Sequence, residues 1–147
     1  MLKLFGILII ITVSSLYGFR ASSHLRERVK VLGKYVILID EMEDNIRLKI
    51  GIEEMFSSEI IKEMLSYENY KVEFKKEGLN KNDIKLLDDF FAKIGFGDTT
   101  SQTELCKLYK ELVGKKEKEA EQETQQKAKL YSVLGFSFGL FAAVLLI

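Results

Sequence analysis

The sequence predicts an all-α protein, an antiparallel helical bundle between two terminal transmembrane helices. Three observations lead to this class. The ranges 1–19 and 130–147 are almost wholly apolar, whereas the chain between them is rich in charge. No proline occurs in the 147 residues. Apolar residues of the middle recur at helical spacing, and glycines separate the successive segments.

Each apolar end has the length of a membrane span. About 18 helical residues, at about 1.5 Å each, cover about 27 Å, which is close to the hydrocarbon thickness of a bilayer. The alternative for the first end is a cleavable signal peptide with Lys3 as its charged region, but no small-x-small cleavage site follows at the expected distance. The alternative for the second end, which contains Gly135 and Gly139, is a buried helix hairpin.

Basic residues next to the apolar ends predict the orientation. Lys and Arg beside membrane segments are retained preferentially on the cytoplasmic side. Arg20, Arg26 and Arg28 follow the first apolar end, and Lys127 and Lys129 precede the second. We therefore expect a two-pass protein of the cell membrane whose middle domain is cytoplasmic.

The middle begins with a long amphipathic helix. Nothing between residues 18 and 23 is a strong stop signal, so we expect this helix to continue from the membrane segment and to end near Gly51. Its apolar positions recur at steps of three and four residues. They are Leu25, Val29, Leu32, Val36, Ile39 and Ile46, widened by Val31, Tyr35, Leu38 and Met42.

Shorter elements follow. A helix is predicted over roughly Ile52 to Ser66. From Tyr67 to Gly78 the apolar residues alternate as in a strand, at Tyr70, Val72 and Phe74. A single strand has no partner here, so we interpret this stretch as loop and helix end.

Two further helices have clear start and stop signals. Asn80 or Asn82 is expected to cap a third helix that contains Ile84, Leu87, Phe90, Phe91 and Ile94, and Gly95 is expected to stop it. Asp98, Thr99 or Thr100 is expected to cap the last helix. The core positions of that helix are predicted to be Leu105, Leu108, Tyr109, Leu112 and Val113.

The range 115–129 contains no large apolar residue and favours helix intrinsically. It is predicted to form a polar helical stalk, either solvated or packed against the first long helix running antiparallel to it. The second arrangement is favoured, because both helices leave the same membrane surface. The domains are therefore a membrane helix over 1–19, a helical domain over 20–114, the stalk, and a membrane helix over 130–147.

Composition excludes several function classes. Lys and Arg number 22, as do Asp and Glu, and no polybasic surface suggests nucleic acid. The single cysteine, Cys106, excludes an intrachain disulfide and a cysteine-based zinc site. It follows Leu105 in a helical pattern, so we expect a buried, inert thiol.

No pattern predicts a catalytic residue, a cofactor or a metal site. His24 lies at the membrane exit, without the enclosing pocket that a general base needs, and the stretch Gly95-Phe96-Gly97 lacks a phosphate-loop lysine. Asp40, Glu43 and Asp44 share one helix face. Two carboxylates on an open helix seldom bind metal, so we interpret these residues as a solvated face and as candidates for partner docking.

Several short matches, in order along the chain, resemble the stage III sporulation protein AB family of endospore-forming bacteria. Gly95, Asp98 and Gln102 fit the family pattern Gly-x-x-Asp-x-x-x-Gln, and Tyr131 with Gly135 resembles its tyrosine-x-x-leucine-glycine pattern. Earlier matches are the stretch 1–6, Gly18-Phe19 with Leu25, Arg28 and Leu32, and Met42-Glu43 ahead of Ile46. The sequence departs from the family in two places: Leu48 to Glu53 lacks Thr-Pro, and Asn45 replaces a glutamate.

The resemblance implies a protein of the channel complex between mother cell and forespore, located in the mother-cell membrane. It implies a helical cytoplasmic domain similar to the F-component of type II secretion and pilus systems. The implied partners are a secretion-type ATPase and other membrane proteins of the complex, in an oligomeric assembly. We therefore expect a non-enzymatic platform that docks the ATPase, with a membrane-tethered spacer that does not contact the ATPase as the alternative.

Overall fold

The computed structural model describes residues 2–68 and 71–146. The protein is mostly helical, as predicted, and it also contains one small antiparallel sheet. The elements are α1 (Leu2–Arg47), α2 (Ile52–Met55), α3 (Glu59–Met64), β1 (Leu65–Glu68), β2 (Lys71–Phe74), α4 (Lys81–Lys93) and α5 (Thr99–Leu146). Two compact units are distinguished, one formed by Arg28–Lys118 and one by Met1–Glu27 with Glu119–Ile147.

A β-hairpin occupies the stretch that the sequence analysis interpreted as loop and helix end. Strands β1 and β2 pair antiparallel, with Leu65 opposite Phe74 and Tyr67 opposite Val72. The interpretation was wrong because a partner strand does exist, at Leu65–Glu68, and its first two residues were assigned to the end of the preceding helix. Tyr70, a member of that pattern, lies outside the described residues.

Within the Arg28–Lys118 unit, α1 and α5 run antiparallel. Lys110 Nζ lies 2.6 Å from Asp40 Oδ1. A Cβ atom added at Gly33 would lie 2.7 Å from Glu117 Oε1. Gly33 thus lies beside Glu117, and Asp40, seven residues later in α1, lies beside Lys110, seven residues earlier in α5. The absent side chain of Gly33 permits this close approach.

Aromatic contacts join four elements of the same unit. The ring of Tyr35 in α1 meets Phe74 of β2 edge-on, with centroids 6.2 Å apart. Phe74 stacks on Phe91 of α4 at 5.2 Å. The neighbouring Phe90 contacts Tyr109 of α5, also at 5.2 Å. Aromatic pairs of this kind add to the stabilisation from area burial, so the hairpin is part of the core.

The buried stripe of α5 differs from the predicted one. Cys106, Tyr109 and Val113 are buried, at the three- and four-residue spacing of one helix face. Leu108 and Leu112, predicted to be core residues, are 52% and 38% exposed. They are apolar, but they lie beside the stripe that contacts α1 and α4.

The apolar parts of α1 and α5 were predicted to cross a membrane. Within residues 2–68 and 71–146, no helix combines the length and the apolarity that such a crossing requires. The two predicted terminal transmembrane helices are therefore without support from the described part of the chain. In the range 115–129, Ala120 and Thr124 are buried, so this polar stretch has one packed face.

Helix α1 ends earlier than predicted, at Arg47. The N–H of Ile50 donates to the carbonyl of Asn45 at 2.9 Å, and the N–H of Lys49 donates to the carbonyl of Ile46 at 3.1 Å. These two bonds form a Schellman motif, in which the residue after the C-cap adopts a left-handed conformation. That residue is Lys49, with φ 56°, rather than a glycine.

A buried ion pair connects α1 to the start of α4. The guanidinium of Arg28 donates to both carboxylate oxygens of Asp83, at 2.7 Å and 3.0 Å. Asp83, which is fully buried, also accepts from the backbone N–H of Asn80 at 3.1 Å. The Asn80 side chain accepts in turn from the Asp83 N–H at 2.8 Å. Of the two predicted caps, Asn80 and Asn82, this reciprocal capping box selects Asn80.

The first prediction concerns this pair. We expect Asp83→Ala to lower the free energy of unfolding by about 3–5 kcal/mol, because it removes the carboxylate that compensates a largely buried guanidinium. Urea denaturation of the full chain, followed by circular dichroism, measures the change. Asp88→Ala, on an exposed site of the same helix, is the control and should change stability by less than about 0.5 kcal/mol. Equal losses in the two variants would contradict the assigned role.

The second prediction concerns the left-handed Lys49. We expect Lys49→Gly to raise the free energy of unfolding by about 0.5–1 kcal/mol, because glycine adopts positive φ without the steric cost of a Cβ atom. Lys49→Ala removes the same charge but keeps the Cβ atom, so it should not be stabilised. A gain of equal size in both variants would indicate that charge, and not backbone strain, limits stability here.

Candidate functional site

The three acidic residues singled out in α1 bind cations of the same chain. Lys110 Nζ lies 2.6 Å from Asp40 and 3.4 Å from Glu43, and Glu43 is buried. The hydrogen bond to Asp40 raises the pKa of the Lys110 ammonium above its usual value. Asp44 pairs with Arg47, one turn further along α1, at 2.6 Å. The structure therefore brings Asp40 and Glu43 together at Lys110 and leaves Asp44 on a separate, exposed pair.

A polar cluster that the sequence analysis did not predict joins α4 to α5. Lys93 Nζ donates to Asp89 at 2.7 Å and to the hydroxyl oxygen of Tyr109 at 3.1 Å. The Tyr109 hydroxyl donates to the same carboxylate. Burial raises the pKa of Tyr109, and the hydrogen bond from Lys93 lowers the pKa of Asp89. The phenol therefore stays protonated near neutral pH, and the cluster acts as a link between helices.

The described side chains that could bind a metal ion, act as a general base or act as a nucleophile are not grouped together. Among the residues that the structure describes, no three His, Cys, Asp or Glu side chains are grouped as metal ligands. His24 is exposed on α1. Cys106 is buried, as predicted, and burial raises the pKa of its thiol to about 11. A thiol with that pKa is protonated at neutral pH and is a poor nucleophile.

Gly95, Asp98 and Gln102 form the loop between α4 and α5. Gly95 has φ +93° and Gly97 has φ +102°, values that favour glycine. The Asp98 carboxylate accepts from the backbone N–H of Ser101 at 3.3 Å and from its hydroxyl, which caps α5. Gln102 Nε2 donates to the Gly97 carbonyl at 3.0 Å. The expected roles of Gly95 as stop and Asp98 as cap are confirmed, and Gln102 ties the loop to the helix.

An apolar cleft of about 520 Å³ lies where this loop, the end of α1 and the hairpin meet. Its side chains with polar groups are Lys49, Tyr67, Thr99 and Gln102, and Gly95 is also part of the lining. Apolar residues from α1, α4, β1 and the segment after α1 provide most of its wall. They include Met42, Ile46, Phe56, Leu65, Phe91 and Ile94. We refer to this feature as the apolar cleft.

Two exposed apolar residues adjoin residues of the apolar cleft in sequence. Leu48, next to Lys49, is 67% exposed, and Phe96, next to Gly95, is 78% exposed. The sequence analysis did not identify either residue as functional. The available signal was Phe96 between two glycines. The sequence analysis compared this stretch only with phosphate-binding loops, which it does not match. The Lys49 position was missed because α1 was expected to end near Gly51, which placed Lys49 within or at the end of the helix.

The two remaining pattern residues lie in the other unit. Tyr131 is 37% exposed and Gly135 is half-buried, both on α5. The loop pattern shapes the apolar cleft, whereas the tyrosine pattern belongs to the apolar end of α5.

The chain was compared with models of known protein families. A family model described as stage III sporulation protein AB matches residues 58–147, a range that contains both patterns. No curated protein matches the chain, and no solved structure matches it. The matched range covers more than half of the chain. The chain therefore belongs to the stage III sporulation protein AB family.

Proposed function

We propose that this protein is a non-enzymatic platform of the sporulation complex in the mother-cell membrane around the forespore. In this proposal the helical domain is cytoplasmic and docks a secretion-type ATPase, within an oligomeric assembly of channel proteins. Family membership supports a role in stage III of sporulation. The apolar cleft, lined in part by Gly95 and Gln102 of the loop pattern, is the observation that carries the docking function.

The composition of the apolar cleft favours protein binding over catalysis. Its described lining contains no histidine, cysteine or carboxylate, so the lysine, tyrosine and threonine side chains there have no histidine or carboxylate in the lining to activate them as nucleophiles. Clefts that bind apolar side chains have walls of this kind, with a few polar groups that set orientation. The polar residues that resemble catalytic groups elsewhere in the unit, such as Tyr109 and Lys93, are used in contacts between helices.

The membrane location is supported by the end of α5. Nine large side chains there are between 37% and 73% exposed, and they occupy more than half of the helix circumference. They are Leu130, Tyr131, Val133, Leu134, Phe136, Phe138, Leu140, Phe141 and Val144. Burying one large apolar side chain is worth about 1.5–3 kcal/mol, so this surface favours lipid contact. The flanking Lys127 and Lys129 favour the cytoplasmic side for the helical domain, as in a two-pass protein.

The spacer alternative depends on a solvated stalk. Ala120 and Thr124 are buried, and the Thr124 hydroxyl donates to the Ala120 carbonyl at 2.7 Å. A packed face on the range 115–129 does not favour a bare rod that only sets a distance. We therefore propose docking as the function.

The third prediction tests docking. We expect the full chain, extracted in mild detergent, to co-elute with the ATPase of the same complex in size-exclusion chromatography. The chain alone should hydrolyse no ATP. An ATPase carrying an unfolding substitution in its own core serves as the control and should elute separately. Separate elution of the native ATPase, or hydrolysis by the chain alone, would contradict the platform function.

The fourth prediction tests the membrane location. We expect the native chain to stay in the membrane pellet after an alkaline carbonate wash. Changing Phe136, Phe138 and Phe141 to serine should shift a larger fraction into the supernatant, because the apolar surface of α5 is reduced. Phe96→Ser removes an equally exposed phenylalanine from the loop and should leave the fraction unchanged. Extraction of the native chain by carbonate would contradict membrane anchoring.

A further inference from the structure

We propose that the apolar cleft binds an acidic amphipathic segment of a partner protein. Large apolar side chains of the segment fill the cleft, and one of its carboxylates pairs with Lys49. This inference rests on the docking function proposed above and specifies the surface and the chemistry of the docked segment. Four features of the cleft carry it: size, charge, backbone strain and the exposed residues beside it.

The size and the wall of the apolar cleft suit side chains of a protein. Its volume of about 520 Å³ lies within the range of about 300–1,000 Å³ that binding pockets occupy. Met42 and Met55 are part of its lining. Methionine is flexible and polarisable, and it adapts to apolar side chains of different shape. The cleft is therefore able to accommodate several apolar side chains of one segment.

The charge in the described lining of the apolar cleft is positive. Lys49 is the cation of the described lining, which includes no carboxylate. The backbone N–H of Lys49 is used in the helix cap, whereas its side-chain ammonium makes no hydrogen bond or ion pair with the described residues. Lys49 is exposed, so its charge contributes chiefly to the choice of partner and to the rate of association, and the apolar wall contributes most of the affinity. Charge complementarity therefore selects a segment that carries an acidic residue beside its apolar ones.

Backbone strain occurs at the same residue. Three other described residues have positive φ, and all three are glycines: Gly78, Gly95 and Gly97. Lys49 is the exception, with φ 56°, at a helix end where glycine is the favoured residue. Left-handed backbone destabilises a residue that has a Cβ atom, because the Cβ atom approaches the following carbonyl oxygen. The chain thus keeps an ammonium on the wall of the apolar cleft at a cost in stability, as functional positions often do.

Two exposed apolar residues are next in sequence to residues of the apolar cleft. Leu48 and Phe96 adjoin cleft residues in sequence and are 67% and 78% exposed. Exposed aromatic residues near an apolar pocket are common anchors of protein interfaces. A phosphate or nucleotide gains little from apolar walls with a single cation. A surface larger than the cleft itself favours a protein segment over an isolated fatty acid.

The fifth prediction tests the inference with the ATPase of the same complex as the probe. The full chain is held in nanodiscs, and the dissociation constant is measured by biolayer interferometry. We expect Lys49→Glu to raise the dissociation constant by at least about tenfold, because it places a carboxylate against the acidic segment. Lys49→Gly should raise it by a smaller factor while the melting temperature rises. Lys49→Arg should bind nearly as well as the native chain.

Lys62→Glu is the matched control, since Lys62 is exposed and is not part of the cleft lining; its binding should stay within about twofold of native. If the native chain binds and Lys49→Glu binds equally well, the cleft inference is overturned while the platform function stands. If the native chain does not bind, the docking function itself fails, and the inference fails with it. If Lys49→Glu instead changes the size of the chain alone in light scattering, the occupant is a second copy, which also overturns the inference.

Discussion

The contact between Arg28 and Asp83 determines how the helices of the Arg28–Lys118 unit are arranged. A buried carboxylate is tolerated only when its charge and its lone pairs are satisfied, and Asp83 meets this requirement with Arg28 and Asn80. One side chain thus sets both the first residue of α4 and the side of α1 on which α4 packs. The 13 residues of α4, at about 1.5 Å each, span about 20 Å, from this buried pair to the loop at Gly95.

The polar side chains that connect the helices of this unit are different from those that line the apolar cleft. The Asp40 and Lys110 side chains pair between α1 and α5, and Tyr109 with Asp89 connects α5 to α4. These groups are engaged within the domain. The apolar cleft has the opposite character, with apolar walls and Lys49 as its cation. The proposed platform function is compatible with this arrangement, because the lining of the apolar cleft does not include the ion-paired side chains that connect the helices.

Local features of the structure follow from residues close together in sequence, and the sequence alone predicted them. The cap at Asn80 forms with a residue three positions away, and Asp98 caps α5 in the same way. Gly95 stops α4 because only its own backbone has to adopt positive φ. Burial of Cys106 follows from the helical period of its neighbours. The pattern around Gly95 also pointed to the family, since such loops are defined by spacing along the chain.

The sequence by itself determined the helical class, the positions of the main caps and stops, the buried thiol and the family. Only the tertiary structure decided the pairing of the hairpin, the exposure of Leu108 and Leu112, and the ion pair between Asp40 and Lys110. It also decided that Lys49 lies on the wall of an apolar cleft. The physical reason is the same in each case. A cap or a turn is chosen by a few neighbouring residues, whereas burial and ion pairing depend on partners from distant parts of the chain, which periodicity does not specify.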